Sequence, residues 1–184
     1  MLRGYLANAE QVRTQGVEAD FRIQPTDSLS LYLNAAYTDA RYESFDNAPP
    51  PVELSGGAVQ FVDISGKRMP GVSNWAFSYG AEYGRPIAML GSSGEGYLAI
   101  DGSYRTDWSS NPTPSEYMWV DGYGLINVRG GFRSDGNWSV GLWIRNALDK
   151  DYIDLLAAQS GATRLIVGQV GEPRTYRLSV HVSF

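Results

Sequence analysis

Cysteine is absent from this 184-residue chain, and histidine occurs once, at His181. No disulfide framework or thiolate metal site can be built. One imidazole makes neither a histidine-rich metal centre nor a nucleophile–base–orienter set, so neither catalysis nor a cofactor is expected. No apolar run approaches the roughly 18 residues that suggest a membrane-spanning helix. That excludes a helical membrane protein but not a β-barrel, whose alternating strands look only moderately hydrophobic. Basic residues are outnumbered, 15 against 20, for a net charge of −5. Nucleic-acid phosphates require the opposite balance. The glycine-rich stretch Gly91-Ser92-Ser93-Gly94-Glu95-Gly96 lacks the Gly-Lys-Ser/Thr of a phosphate loop and reads as a turn. The beginning, Met1-Leu2-Arg3-Gly4-Tyr5, has no apolar h-region or small-residue cleavage site, so it is no signal peptide. If the protein is exported, an amino-terminal portion is expected to precede this chain.

What the chain does have is glycine (21), tyrosine (12) and long alternation. Tyr176, Leu178, Val180, Val182 and Phe184 lie on one side of the final segment, with Arg177, Ser179, His181 and Ser183 on the other. Period 2 over this length predicts a β-strand with one apolar and one polar face. Six more long segments alternate in the same way: 12–23, 29–42, 72–85, 96–107, 123–133 and 138–149. A short one spans 3–8. The long segments run about 11 to 14 residues, against about 5–6 for globular strands and about 9–11 for a tilted membrane-spanning strand.

The connections alternate too. Gln24 to Ser28, Pro86 to Glu95 and Ser134 to Asn137 read as turns, the last with an Asp-Gly signal. Glu43 to Gly71, Trp108 to Gly122 and Lys150 to Gly171 are long loops. With Phe184 on the periplasmic side, every turn falls there and every long loop falls outside, the outer-membrane barrel pattern. The polar face, carrying Glu18, Asp20, Arg22, Glu82, Asp101, Arg105, Arg129, Arg145 and Arg177, then lines a wet lumen.

Local patterns add a family. Asn8-Ala9-Glu10-Gln11-Val12-Arg13-Thr14-Gln15-Gly16-Val17-Glu18 resembles a hairpin of TonB-dependent outer-membrane receptors. Gly66-Lys67-Arg68-Met69-Pro70-Gly71-Val72-Ser73-Asn74 resembles one of their strand-leading segments. Trp143-Ile144-Arg145-Asn146-Ala147-Leu148-Asp149-Lys150-Asp151-Tyr152 is similar to their penultimate-strand motif, with Ala147 where leucine is common. Gly171-Glu172-Pro173-Arg174-Thr175-Tyr176 resembles the lead into their last strand. The matches follow the family's order over nearly the whole chain. The resemblance implies an all-β fold: an antiparallel meander of about eight long strands, the carboxy-terminal part of a transmembrane barrel of about 22 strands. On the resemblance, the family's plug domain and earlier strands are expected to lie outside this chain. It implies uptake of ferric siderophores or similar scarce ligands, and location in the outer membrane. The implied partners are outer-membrane lipid, the missing barrel and plug, the TonB complex acting through the plug, and the barrel-assembly machinery.

On the resemblance, Gly16, Glu18, Asn146, Asp149, Tyr152, Gly171, Pro173 and Arg174 are family-motif residues read as structural, and Phe184 as part of the assembly signal. Trp138 and other strand-end aromatics read as interface girdles. Tyr117, Met118 and Trp119, inside a long loop, are the candidates for ligand contact. Two other readings stay open: a free-standing eight-stranded barrel, and a soluble β-sandwich that stacks aromatics on carbohydrate.

Overall fold

Alternating β-branched and aromatic residues, interrupted by turn residues, build strands as the pattern predicts. The computed structural model describes residues 10–54, 56–113, 115–159 and 165–183. Seven long strands form one antiparallel sheet in sequence order: β1 (Gln11–Thr26), β2 (Leu29–Ser44), β3 (Trp75–Met89), β4 (Ser92–Arg105), β7 (Tyr123–Ser134), β8 (Trp138–Arg145) and β11 (Thr175–Val182). Two small hairpins sit in the long loops: β5 (Trp108–Ser109) with β6 (Trp119–Val120), and β9 (Ile153–Ala158) with β10 (Ile166–Val170). The expected short strand at 3–8 and Phe184 lie outside the described residues.

The third hairpin is tighter than its sequence suggests. Pro86 to Glu95 reads as a turn, yet the β3–β4 ladder continues to Met89↔Ser92 and pairs Pro86 with Glu95. Only Leu90 and Gly91 turn, with φ of 52° and 78°, the positive pair of a type I′ hairpin. Proline is tolerated because Gly84 donates to Ser28 at 2.8 Å. Pro86, two residues on, therefore aims its missing N–H past the end of β2, where no ladder bond is lost.

Among the described residues, no second layer covers the sheet's apolar face. Val17 and Leu178 are each 70% exposed, and Phe21, Ile23, Leu98, Ile100 and Val180 are exposed with them. A sandwich would bury these positions, so that reading is overturned. The described sheet is also open: β1 and β11 are its two edges and do not pair with each other.

The buried residues gather elsewhere. Tyr42, Phe45, Ala48 and Ile64 form a small core, with Val62 and Met69 packed against it. Trp108, Met118 and Val120 are buried in the next loop. Tyr42 has the same strand parity as Tyr32 and Asn34, so the first long loop folds over the polar face of the sheet. The three long loops thus make a headpiece at one end of the sheet, and the three turns occupy the other.

Candidate functional site

The polar face carries a charge ladder. Strands β3, β4 and β7 bring Glu82, Ala99 and Arg129 into one cross-strand row. Ala99 is small enough for Arg129 Nη2 to reach Glu82 Oε2 across it at 3.0 Å. Arg129 Nε lies 3.3 Å from Asp101 Oδ2, without a hydrogen bond's alignment. Arg133 bridges Glu82 at 3.2 Å and Glu95 at 3.0 Å, and stacks 3.9 Å from the Tyr97 ring centroid. Tyr32 donates to Asp101 at 3.1 Å. Beside this ladder opens a groove of about 710 Å³ lined by Arg22, Ser30, Tyr32, Asn34, Asp101 and Arg129. Such a face suits water, because each charge has a partner or solvent.

Sequence reading anticipates Glu82, Asp101 and Arg129 there. It misses Tyr32, Tyr97 and Arg133, which alternation would have found, and Glu95, which looks like part of a turn. Arg105 shares the face but its head turns to the mouth. Its Nε donates to Ser73 at 3.0 Å, and its guanidinium stacks 3.5 Å from the centroid of Trp108. Glu18 is exposed on β1 opposite Ala36. Gly16 pairs with Thr38, where a Cβ would collide with the Tyr37 carbonyl.

Above the sheet the loops dock on one another. Ser115 donates to Glu53 Oε2 at 2.7 Å, and the Glu116 N–H to Oε1 at 3.2 Å. Burial would raise the Glu53 pKa; these hydrogen bonds outweigh it and hold the carboxyl below its ordinary value. Asp63 is likewise lowered, by hydrogen bonds from the Ser65 hydroxyl and N–H. Arg68 reaches Asp107 Oδ2 at 3.0 Å and its carbonyl at 2.7 Å, lying 5.0 Å from the Trp119 ring centroid. The Tyr42 hydroxyl donates to the Pro112 carbonyl at 3.2 Å, and the Leu156 N–H to Ser110 at 3.2 Å.

The expected contact residues divide. Tyr117 is 64% exposed at a cleft of about 420 Å³ lined by Val52, Glu53, Tyr117 and Ile166. Met118 is 2% exposed, its sulfur accepting from Asn111 at 2.9 Å. Its side chain is packed into the loop rather than facing the cleft. Trp119 is half-buried under Arg68.

The motif residues 146–174 meet in one clasp. Asn146 and Asp149 adopt φ of 46° and 53°, a region asparagine and aspartate tolerate better than most residues. Asn146 donates to the carbonyls of Lys150 (2.9 Å) and Glu172 (3.1 Å) and accepts from the Lys150 N–H at 2.8 Å. Asp149 accepts from the Arg174 N–H at 3.2 Å and pairs with its guanidinium at 3.3 Å. The Tyr152 hydroxyl accepts from the Glu172 N–H at 3.2 Å, and its ring lies where a Gly171 side chain would project. Pro173 is exposed just before β11.

The family model described as TonB dependent receptor-like, beta-barrel matches residues 3–147. The ferric-pyoverdine M114 receptor PbuA of Pseudomonas sp. (strain M114) is 26% identical over 177 residues, covering 96% of this chain and 19% of that protein. Among solved structures, the ferric yersiniabactin uptake receptor FyuA from Yersinia pestis superposes with a TM-score of 0.69 at 13% identity, over 94% of this chain and 24% of that one. The siderophore receptor PiuA from Acinetobacter baumannii gives 0.68 at 18% identity, over 93% and 22%. The chain therefore spans about a fifth to a quarter of the length of each.

Proposed function

The chain belongs to the TonB-dependent receptor β-barrel family, and on that premise we propose that it forms the carboxy-terminal barrel wall of an outer-membrane receptor that takes up ferric siderophores. The family is one of receptors and transporters rather than enzymes, and its barrels sit in the outer membrane. The observation that carries the proposal is the inside-out distribution of burial. The sheet exposes most of its apolar face and lines its other face with charge, while most of the buried apolar residues, Ala99 and Phe132 apart, lie in the loops or at the outer end of β2. Lipid is the solvent that suits such a face. In the intact receptor this segment supplies three outer loops for ligand capture, part of a hydrated lumen and the final strand. Cargo passes inward when the TonB complex acts on a plug domain held by the complete barrel.

The open edges of the described sheet support the segment reading over a free-standing barrel. Unpaired backbone groups cannot be satisfied by lipid, so β1 and β11 require further strands. The clasp at 146–174 is a structural device in this reading, holding the last loop closed at its base while β11 keeps its register on β8. Phe184 belongs to the signal read by the assembly machinery. Deleting Phe184 from the intact receptor should impair membrane insertion more than ligand affinity, as read by surface labelling and by binding to the inserted fraction.

The direct test is uptake of radiolabelled iron by cells with and without the intact receptor, and with residues 45–74 replaced by a short turn. Loss of uptake of a ferric siderophore in both is expected. Unchanged uptake of every ferric chelate tried would overturn the assignment.

A further inference from the structure

The net charge is not spread through the molecule. Residues 45–74, 106–122 and 146–174 contain ten of the 20 acidic residues and five of the 15 basic ones. These three loops carry the whole −5, and the strands and turns balance. Two of the loop cations are already neutralised, Arg68 by Asp107 at 3.0 Å and Arg174 by Asp149 at 3.3 Å. Glu116, Asp121 and Asp151 are exposed.

A second observation comes from the cleft between the loops. Among the described residues its lining is aliphatic at Val52 and Ile166 and aromatic at Tyr117, with Glu53 the one charged side chain. That carboxylate is fixed in place by Ser115 at 2.7 Å and the Glu116 N–H at 3.2 Å. With the Glu53 N–H donating as well, the carboxylate keeps one lone-pair direction for a further donor. A ligand seated against Tyr117 thus meets a preorganised acceptor and, among the described residues, no cation.

Resting on the receptor reading above, we propose that this cleft takes ferric chelates that are neutral or cationic and carry an ammonium or guanidinium donor for Glu53, and that the loops reject polyanionic chelates. Two effects combine. The field of the acidic loops speeds encounter with cations and slows it with anions, by roughly tenfold or more at low ionic strength. The Glu53 carboxylate then gives a charge-assisted hydrogen bond at short range.

The experiment uses the intact receptor in outer-membrane vesicles. Three probes are compared: a ferric tris-hydroxamate with a pendant ammonium, the same chelate with that amine acetylated, and a ferric tris-catecholate, which is trianionic. At low ionic strength the ammonium chelate should associate at least about tenfold faster than the tris-catecholate, and the gap should shrink near 1 M salt, where screening is short-ranged. Substituting Glu116→Lys and Asp121→Lys should close part of the gap without changing the acetylated chelate's affinity. Acetylation should weaken binding to the native receptor, and Glu53→Gln should remove that difference. A tris-catecholate that associates as fast as the ammonium chelate, or an acetylation effect that survives Glu53→Gln, overturns the proposal. Failure of all three probes to bind at any salt concentration instead overturns the receptor reading on which it rests.

Discussion

The sheet and the loop headpiece are built on opposite rules. In the sheet most large apolar side chains point outward and stay exposed, as at Val17 and Leu178, with Phe132 the buried exception. In the headpiece they turn inward, and Phe45, Ile64 and Trp108 are buried. One polypeptide thus follows lipid logic along its strands and water logic in its connections. The boundary falls on single strands. In β2, Leu31 and Leu33 belong to the apolar face, whereas Tyr42, near the outer end, is core for the loop above it. Each region excludes apolar groups from water by a different partner, which explains how a chain with a mean hydropathy of −0.27 makes a membrane wall.

The comparison breaks most severely in the headpiece. Phe45→Ala should remove about 3–5 kcal/mol from the loop's own stability, the usual cost of deleting a buried phenyl ring. Limited proteolysis should then cut within 45–74, while the barrel of the intact receptor keeps its resistance to unfolding in detergent. Loss of barrel stability as well would mean that the two regions are not separable.

A charge on the sheet's apolar face tests the other half. Leu98 lies near the middle of β4, and Leu98→Arg should cost about 2–4 kcal/mol in a bilayer, measured by urea titration in liposomes. Ser103→Arg, on the opposite face of the same strand, should cost far less, because lumen positions are wet. Equal costs would contradict the assignment of the two faces.

The clasp gives a smaller effect at the junction of the two regions. Asn146→Ala removes the acceptor for the Lys150 N–H and the donor to the Glu172 carbonyl. Leaving buried groups unpaired costs about 1–3 kcal/mol, and hydrogen exchange should rise at 147–152 and 171–174 with little change in β2–β3.

The smallest effect is acid sensitivity between loops. The folded-state pKa of Glu53 is lowered, so its contribution is fully present above the ordinary glutamate value of about 4.3. It is lost as pH falls through the depressed folded value. Protection of residues 115–117 from hydrogen exchange should fall over that acid range and become flat in Glu53→Gln.

The strands were legible because one physical rule acts along their whole length. The segment expected at 12–23 is Gln11–Thr26 in the structure, and that at 123–133 is Tyr123–Ser134. The parity of short turns and long loops was equally readable. Pro86 and the glycines after it hid the extended β3–β4 hairpin, since the sequence does not reveal that β2 ends before Pro86. The headpiece was not legible at all. Phe45 and Ile64 meet across 19 residues with no period, and Glu53 finds Ser115 only after β3 and β4 have been laid between them. For the same reason Met118 and Trp119 looked like equals of Tyr117. The clasp residues were recognisable as a motif, but their joint geometry appears only when β8 and β11 pair.

The most direct test of the inside-out account exploits the lack of cysteine. Single substitutions Leu98→Cys, Ile100→Cys and Ser103→Cys in the intact receptor, each in its native membrane, can be labelled one at a time. The account predicts that positions 98 and 100 resist a membrane-impermeant thiol reagent and that labels there collide with a lipid-soluble quencher. Position 103 should react with the aqueous reagent and escape the quencher. Equal accessibility at all three positions, or the reverse pattern, would contradict a sheet whose apolar face meets lipid and whose charged face meets water.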